Sequence, residues 1–173
     1  LNAEVWGIEN VRSIARAAKK VLDKVLSADV EIAVEKLPDS YFDTIIFADV
    51  LEHLVDPYTV LNNIKSKLKP TGELIASIPN IRHWSVIKEL LEGKWDYQNA
   101  GILDRTHLRF FTKKSIMEMF QNSGFTVRAV QATTIQGSAI PEKLVKYMNE
   151  AGINVSTLLE ESKHYQYLVK AVP

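Results

Sequence analysis

Three polar side chains that could do chemistry together lie in the stretch FADVLEHL, residues 47–54. Asp49, Glu52 and His53 follow directly after an apolar run. A turn of helix across DVLEH would place them at positions i, i+3 and i+4, on one face of the helix. A histidine titrates near neutral pH, so such a group suits proton transfer. The spacing predicts that the three side chains meet.

Acidic residues also end two earlier apolar runs, since Glu9 follows AEVWGI and Asp29 follows KVLSA. In open α/β sheets, ligands bind outside the carboxyl ends of the strands. A carboxylate has two acceptor oxygens at the spacing of a vicinal diol, so Glu9 could accept both hydroxyls of a ribose. A structural alternative stays open for each residue. Glu9 could be an acid that the dipole of the next helix stabilises, and Asp29 could form a turn.

The elements that must position these residues follow from the periodicity of the apolar residues. Strand-like runs alternate with amphipathic stretches, which predicts an α/β fold with a mostly parallel sheet covered by helices on both faces. We predict strands at 3–9, 24–29, 41–49, 73–80, 125–134 and 164–173. We predict helices at 10–22, around 83–93, at 113–124 and at 141–152, and one that begins at Pro57 and stops at Pro70 and Gly72. The nearly continuous apolar run YFDTIIFAD predicts a central strand.

The segment 81–112 differs from the rest because it is rich in aromatic and polar residues and has no clean period after a short helix. Long loops inside compact domains usually belong to lids or binding elements. We therefore expect this segment to act as a lid. Its aromatic residues are expected to anchor it by packing.

Composition bounds the class of protein. The chain has 173 residues, and 21 Lys and Arg balance 21 Asp and Glu, so no net charge favours nucleic acid or an anionic membrane. The sequence contains no cysteine, which excludes disulfides and thiolate metal sites. It also shows no signal peptide and no apolar run of the roughly 20 residues that span a bilayer. We expect one domain, residues 1–173, in a soluble cytoplasmic protein.

Five blocks carry a resemblance to a known family: VWGIE, ADVE, FDTIIFADVLEHLVDP, LKPTGELIASIPN and DRTHLRFFT. In this order, they resemble the class I S-adenosylmethionine-dependent methyltransferases, a Rossmann-like fold with an antiparallel final strand. The resemblance runs over nearly the whole chain. It is strongest to a bacterial subgroup associated with methylation of small molecules, polysaccharides and lipids. It implies S-adenosylmethionine as the cofactor, an O or N acceptor on a small molecule, sugar or lipid precursor, and no nucleic-acid partner.

The resemblance also assigns residues to parts of the cofactor. Glu9 is implied to bind the ribose. Asp29 is implied to bind the adenine together with the backbone of Val30. Asp49 and Val50 are implied to line the methionine and methyl end. The full cofactor set that we predict is Glu9, Asn10, Asp29, Val30, Asp49, Val50 and Leu51.

One part of the family pattern has no counterpart in this sequence. The glycine-rich loop that follows the family's first strand is missing, and no strand precedes AEVWGIE. We expect a sheet without its central first strand. That gap could be closed by upstream residues, by direct pairing of the Val5–Glu9 strand with the Phe42–Ala48 strand, or by an edge from another copy in a homo-oligomer. A non-catalytic module that binds a ligand or partner without turnover is therefore the alternative function.

The acceptor end of the site is expected to contain a base, because an acceptor that carries a proton at attack must lose it. The candidates are His53, His83, Asp104 and His107, and we favour His107, His53 and Asp104.

In metal-dependent small-RNA 2'-O-methyltransferases, an acid-x-x-Glu-His block and a later histidine hold a divalent cation. The matching set here is Asp49, Glu52, His53 and His107. The first acid is Asp where those enzymes have Glu, and we predict no metal. In that prediction His53 bonds to the adjoining loop and Glu52 shapes the floor of the cleft.

Overall fold

Strands and helices alternate along the computed structural model, which describes residues 3–134 and 139–173. The strands are Trp6–Ile8 (β1), Lys24–Leu26 (β2), Phe42–Ala48 (β3), Leu68–Pro79 (β4), Thr126–Thr134 (β5) and His164–Val172 (β6). The α-helices are Arg12–Ala18 (α1), Val30–Ala33 (α2), Pro57–Lys65 (α3), Trp84–Leu91 (α4), Lys113–Asn122 (α5), Glu142–Glu150 (α6) and Leu158–Glu161 (α7). Short 3-10 turns cover Val34–Lys36 and Leu51–His53.

The strands form two sheets. β1 and β2 pair in parallel, and the larger sheet has the order β3-β4-β6-β5. β3 is parallel to β4, whereas the final strand β6 runs antiparallel to both of its neighbours. The α/β fold with an antiparallel final strand is therefore confirmed.

β3 lies at an edge of its sheet, so the prediction of a central strand is wrong for the residues that the structure describes. It pairs with β4 on one side, and no strand within 3–134 or 139–173 pairs with its other side. Ile46 in its middle is 65% exposed, whereas Ile78 of the neighbouring β4 is 0% exposed. The apolar run of β3 therefore leaves one edge and part of its surface uncovered.

Within the described residues, β1 and β3 approach each other through side chains, so direct pairing, one of the three ways in which the gap could be closed, is not observed. They belong to different sheets, and β1 bonds to β2. The ring of Trp6 lies 5.3 Å from that of Tyr41 and 5.3 Å from that of Phe42. The hydroxyl of Tyr41 donates to Glu4 Oε2 at 2.5 Å. These contacts hold the two strands side by side without a backbone ladder.

The main core lies between the larger sheet and the helices α3 and α5. Its fully buried side chains come from alternate positions of β4 and β6 and from one face of each helix, as the two periodicities require. They include Leu61, Ile64, Leu74, Ala76, Ile78, Met119, Phe120, Val169 and Ala171. This core fixes the carboxyl ends of β3 and β4.

Several predicted boundaries shift. The helix from Pro57 ends at Lys65, and Pro70 and Gly72 lie within β4 and do not stop the helix. A Cβ on Gly72 would lie 3.0 Å from the backbone oxygen of Phe42, so glycine allows the close approach of β3 and β4. The short helices α2 and α7 were not predicted. None of the described helices is long and apolar enough to cross a membrane.

Candidate active site

A cavity of about 510 Å³ opens where β1, β2 and β3 end. This is the edge of an α/β sheet at which ligands bind. The cavity is lined by Ile8, Glu9, Asn10, Val11, Ala28, Asp29, Val30, Glu31, Asp49, Val50, His53, Leu54 and Thr106. Six of the seven residues predicted to bind the cofactor are in this lining. The seventh, Leu51, is 0% exposed and packs in the core instead.

Glu9 is fixed at the end of β1 by backbone and side chain together. Its N–H donates to the carbonyl of Leu26 at 3.0 Å, and its own carbonyl accepts from Ala28 N at 3.1 Å. Its Oε1 accepts from Val11 N at 2.7 Å. No residue within 3–134 or 139–173 donates to Oε2. The carboxylate therefore supports the start of α1 and still has acceptor capacity toward the cavity.

Asp29 lies at the start of a helix and at the wall of the cavity. It is the N-cap of α2, since its Oδ1 accepts from Glu31 N at 2.8 Å, and it also lines the cavity. The side chain of Glu31 reaches the next loop, where Oε1 accepts from Asp56 N at 2.8 Å and Oε2 from Val55 N at 3.3 Å. Asp56 in turn caps α3. These bonds fasten α2 to α3 along one wall of the cavity.

Asp49 ends β3 in a left-handed backbone conformation, with φ +51°. Such a conformation is uncommon outside glycine, and Asp tolerates it better than most residues. Asp49 N donates to Ser77 Oγ at 2.9 Å, and Ser77 Oγ donates to Asp49 Oδ1 at 3.1 Å. Gln166 of β6 also donates to Oδ1. Neither Ser77 nor Gln166 was predicted for the site, although Ser77 is a polar residue inside an apolar strand.

Glu52 is the most unusual group near the cavity because it is an acid in the core. It is 1% exposed, and neither carboxylate oxygen has a hydrogen-bond partner among the described residues. Burial raises the pKa of Glu52 to about 7, and nearby Asp49 acts in the same direction. A buried polar group without a partner costs stability, so its presence calls for an explanation.

The structure brings two histidines to Glu52. One carboxylate oxygen of Glu52 and one ring nitrogen each of His53 and His107 all lie within 4.8 Å of one another, as potential metal ligands. The rings of His53 and His107 are 4.7 Å apart. His53 Nδ1 lies 3.2 Å from the carbonyl of Thr106, and His107 Nδ1 lies 2.9 Å from the carbonyl of Ile102. The predicted meeting of Glu52 and His53 is thus observed. Asp49 is not part of this cluster.

The segment 102–109 folds back onto the turn Leu51–His53. The carbonyl of Glu52 accepts from Leu108 N at 2.8 Å and from Arg109 N at 3.0 Å. Thr106 then forms part of the cavity wall. These contacts place the segment at the rim of the cavity, where a lid is expected.

Two other candidate bases lie away from the cavity lining. Asp104 Oδ1 accepts from Thr106 N at 2.8 Å and from Thr106 Oγ1 at 2.6 Å. Both bonds lower the pKa of Asp104, and the bond from the Thr106 hydroxyl has the larger effect. His83 is 2% exposed, caps α4 and contacts the ring of Tyr165.

The chain matches a protein family over most of its length. The family is described as a methyltransferase domain, and the match covers residues 2–130. The chain belongs to this family. The resemblance to S-adenosylmethionine-dependent methyltransferases is confirmed, and the cavity lies where the fold predicts it.

Individual relatives agree with this assignment. The chain is 36% identical over 87 residues to a ubiquinone biosynthesis O-methyltransferase of Bradyrhizobium diazoefficiens, a match that covers 49% of this chain and 34% of that protein. The chain thus spans about a third of the length of that relative.

Solved structures share the fold. A methyltransferase of Archaeoglobus fulgidus superposes with a TM-score of 0.63 at 19% identity, over 96% of this chain and 74% of that one. An N1-methyltransferase of Burkholderia thailandensis, solved with 1,6-didemethyltoxoflavin and S-adenosylhomocysteine, superposes with a TM-score of 0.56 at 14% identity. That match covers 98% of this chain and 60% of that one.

Proposed function

We propose that this chain is an S-adenosylmethionine-dependent methyltransferase whose cofactor site is the cavity at the ends of β1, β2 and β3. The observation that carries the proposal is the convergence of Glu9, Asp29 and Asp49, from the ends of separate strands, on one cavity. Its volume of about 510 Å³ lies within the range of small-molecule sites. Family membership supports the same activity.

The residues present fit the adenosine half of the cofactor. Glu9 Oε2 is available to accept from a ribose hydroxyl, since no described residue donates to it. Asp29 caps α2 with Oδ1 only, so its Oδ2 and the backbone at Val30 are the groups that would meet the adenine. Asp49 and Val50 would line the methionine end. None of the cavity-lining residues is glycine, so we expect the described residues alone to hold that end weakly.

We propose an oxygen or nitrogen acceptor on a small molecule, sugar or lipid precursor. The O-methyltransferase and N1-methyltransferase relatives support both atom types. The bound cofactor supplies an electrophilic methyl group, and the protein must hold the acceptor in line with it. His53 lines the cavity, and its Nδ1 faces a carbonyl that can only accept. Its Nε2 is therefore the atom that could take a proton from the acceptor, provided that no metal ion occupies this nitrogen.

A methyl-transfer assay tests this function. The protein is incubated with methyl-labelled S-adenosylmethionine and a panel of phenols, amines, sugars and lipid precursors, each with a heat-inactivated control. We expect labelled methyl groups on an oxygen or nitrogen acceptor. Cofactor binding without transfer to any acceptor class would instead support the non-catalytic module, whose favouring observation is the edge of β3 with which no described strand pairs.

The rim residue His107 provides a first mutational prediction. We expect His107→Ala to lower turnover by about tenfold or more, because the change disturbs the segment that closes over the acceptor. Affinity for S-adenosylmethionine should change little, because His107 does not line the cavity. Turnover and cofactor affinity are measured together with the thermal midpoint.

The matched control is His164→Ala, because His164 belongs to β6 and bonds to Glu160. It should retain turnover. If His107→Ala lost only thermal stability and kept its turnover per folded molecule, His107 would have a purely structural role.

A further inference from the structure

Glu52, His53 and His107 form a cluster whose arrangement is not explained by hydrogen bonding within it. Their potential ligand atoms lie within 4.8 Å of one another, yet no hydrogen bond joins any two of the three side chains in the described structure. The Glu52 oxygens have no partner although the residue is 1% exposed. The three groups therefore surround a common point and do not satisfy each other.

Both imidazoles are oriented as metal ligands usually are. A carbonyl oxygen only accepts, so the proton of each ring lies on Nδ1, toward Thr106 in His53 and toward Ile102 in His107. Each Nε2 then has a free lone pair. Backbone carbonyls that fix the tautomer of a metal-binding histidine are the usual outer partners of such a ligand.

We propose that Glu52, His53 and His107 bind one divalent transition-metal ion, with zinc as the best fit. Two imidazoles and one carboxylate form a ligand set that suits zinc and similar ions, whereas magnesium prefers oxygen ligands. Zinc ligands lie about 2.0–2.2 Å from the metal, so the cluster contracts modestly on binding. Asp49, which is held by Ser77 and Gln166, is not a ligand.

The ion would join two parts of the chain. Glu52 and His53 belong to the turn after β3, and His107 belongs to the segment that folds back on it. Three protein ligands leave a zinc coordination position for water or for an acceptor oxygen. His53 lines the cavity, so that position lies at its wall. The ion would thus fasten the lid and bring a Lewis acid to the site.

Metal titration of the intact chain tests this proposal without reference to methyl transfer. The metal-free protein, prepared with a chelator, is titrated with Zn²⁺ by calorimetry, and the visible absorption of bound Co²⁺ reports the ligand geometry. We expect one ion per chain and a higher thermal midpoint. Excess Mg²⁺ should not displace zinc. Binding with no fixed stoichiometry, or displacement by Mg²⁺, would overturn the proposal.

Two variants identify the ligands. Glu52→Gln and His107→Ala should each weaken Zn²⁺ binding by at least about tenfold, since even outer-shell changes have effects of that size. The control His164→Ala removes a histidine outside the cluster and should bind zinc like the original chain. Unchanged affinity in both ligand variants would refute the site.

Glu52→Gln also separates metal loss from misfolding. It keeps the shape of the side chain and removes a buried carboxylate that has no partner. The metal-free variant should therefore be at least as stable as the metal-free original chain. The stabilisation by zinc should be lost. A destabilised metal-free Glu52→Gln with intact zinc binding would show that Glu52 has a structural role instead.

Discussion

Replacing Glu9 with glutamine is expected to weaken binding of S-adenosylhomocysteine by about tenfold to a hundredfold, which corresponds to a lost hydrogen bond to a charged group. The carboxylate lies at the cavity with Oε2 available, and glutamine has only one acceptor oxygen. Because Oε1 also supports Val11, the amide should keep that bond by presenting its oxygen there. Calorimetric titration of both proteins measures the ratio of affinities.

The control is Glu118→Gln, on the helix α5, whose side chain pairs with Lys114 at the surface. It removes the same charge at a residue that does not line the cavity, and the variant should bind like the original chain. We expect weak absolute affinity, because none of the described residues that line the cavity is glycine, so the comparison rests on the ratio between variants. Equal affinities for Glu9→Gln and Glu118→Gln would remove Glu9 from the cofactor site.

The second large effect concerns stability and compares two isoleucines of adjacent strands. Ile78→Ala is expected to lower the free energy of unfolding by about 2–5 kcal/mol, because Ile78 is 0% exposed in β4. Ile46→Ala should lower the free energy of unfolding by less than about 1 kcal/mol, because Ile46 of β3 is 65% exposed. Denaturant unfolding at several protein concentrations measures both.

This comparison tests whether β3 is an edge strand in solution. If Ile46→Ala lowered the free energy of unfolding by a large amount that grew with protein concentration, another copy of the chain would cover β3. A large loss of unfolding free energy that did not depend on protein concentration would contradict the exposure of this strand. Either result would also change the expected shape of the cavity, because Asp49 and Val50 directly follow β3.

Much of the fold was predictable because periodicity reports burial on one face. The runs around Phe42–Ala48 and His164–Val172 were located within one or two residues. The end of the helix from Pro57 was not, because proline and glycine also occur in strands where a neighbouring backbone approaches closely, as at Gly72. The helix α2 has only four residues, too few for a period to show.

The site was predictable where a residue follows its own strand. Glu9, Asp29 and Asp49 are such residues, and all three line the cavity. Ser77 and Gln166 escaped prediction because their contact with Asp49 depends on strand order and register, which one sequence does not display. The burial of Glu52 likewise depends on the segment that folds over it, with Leu108 and Arg109 bonding to its carbonyl.

The most direct test of the cofactor site is an NMR titration of the isotope-labelled chain with S-adenosylhomocysteine. We predict that the amide shifts that change belong to the cavity lining, foremost Glu9, Val30 and Val50. Amides of α6 and of the smaller cavity beside Leu103 and Tyr165 should not change. Shifts confined to that smaller cavity, or no shifts at saturating ligand, would contradict the assignment of the cofactor to the ends of β1, β2 and β3.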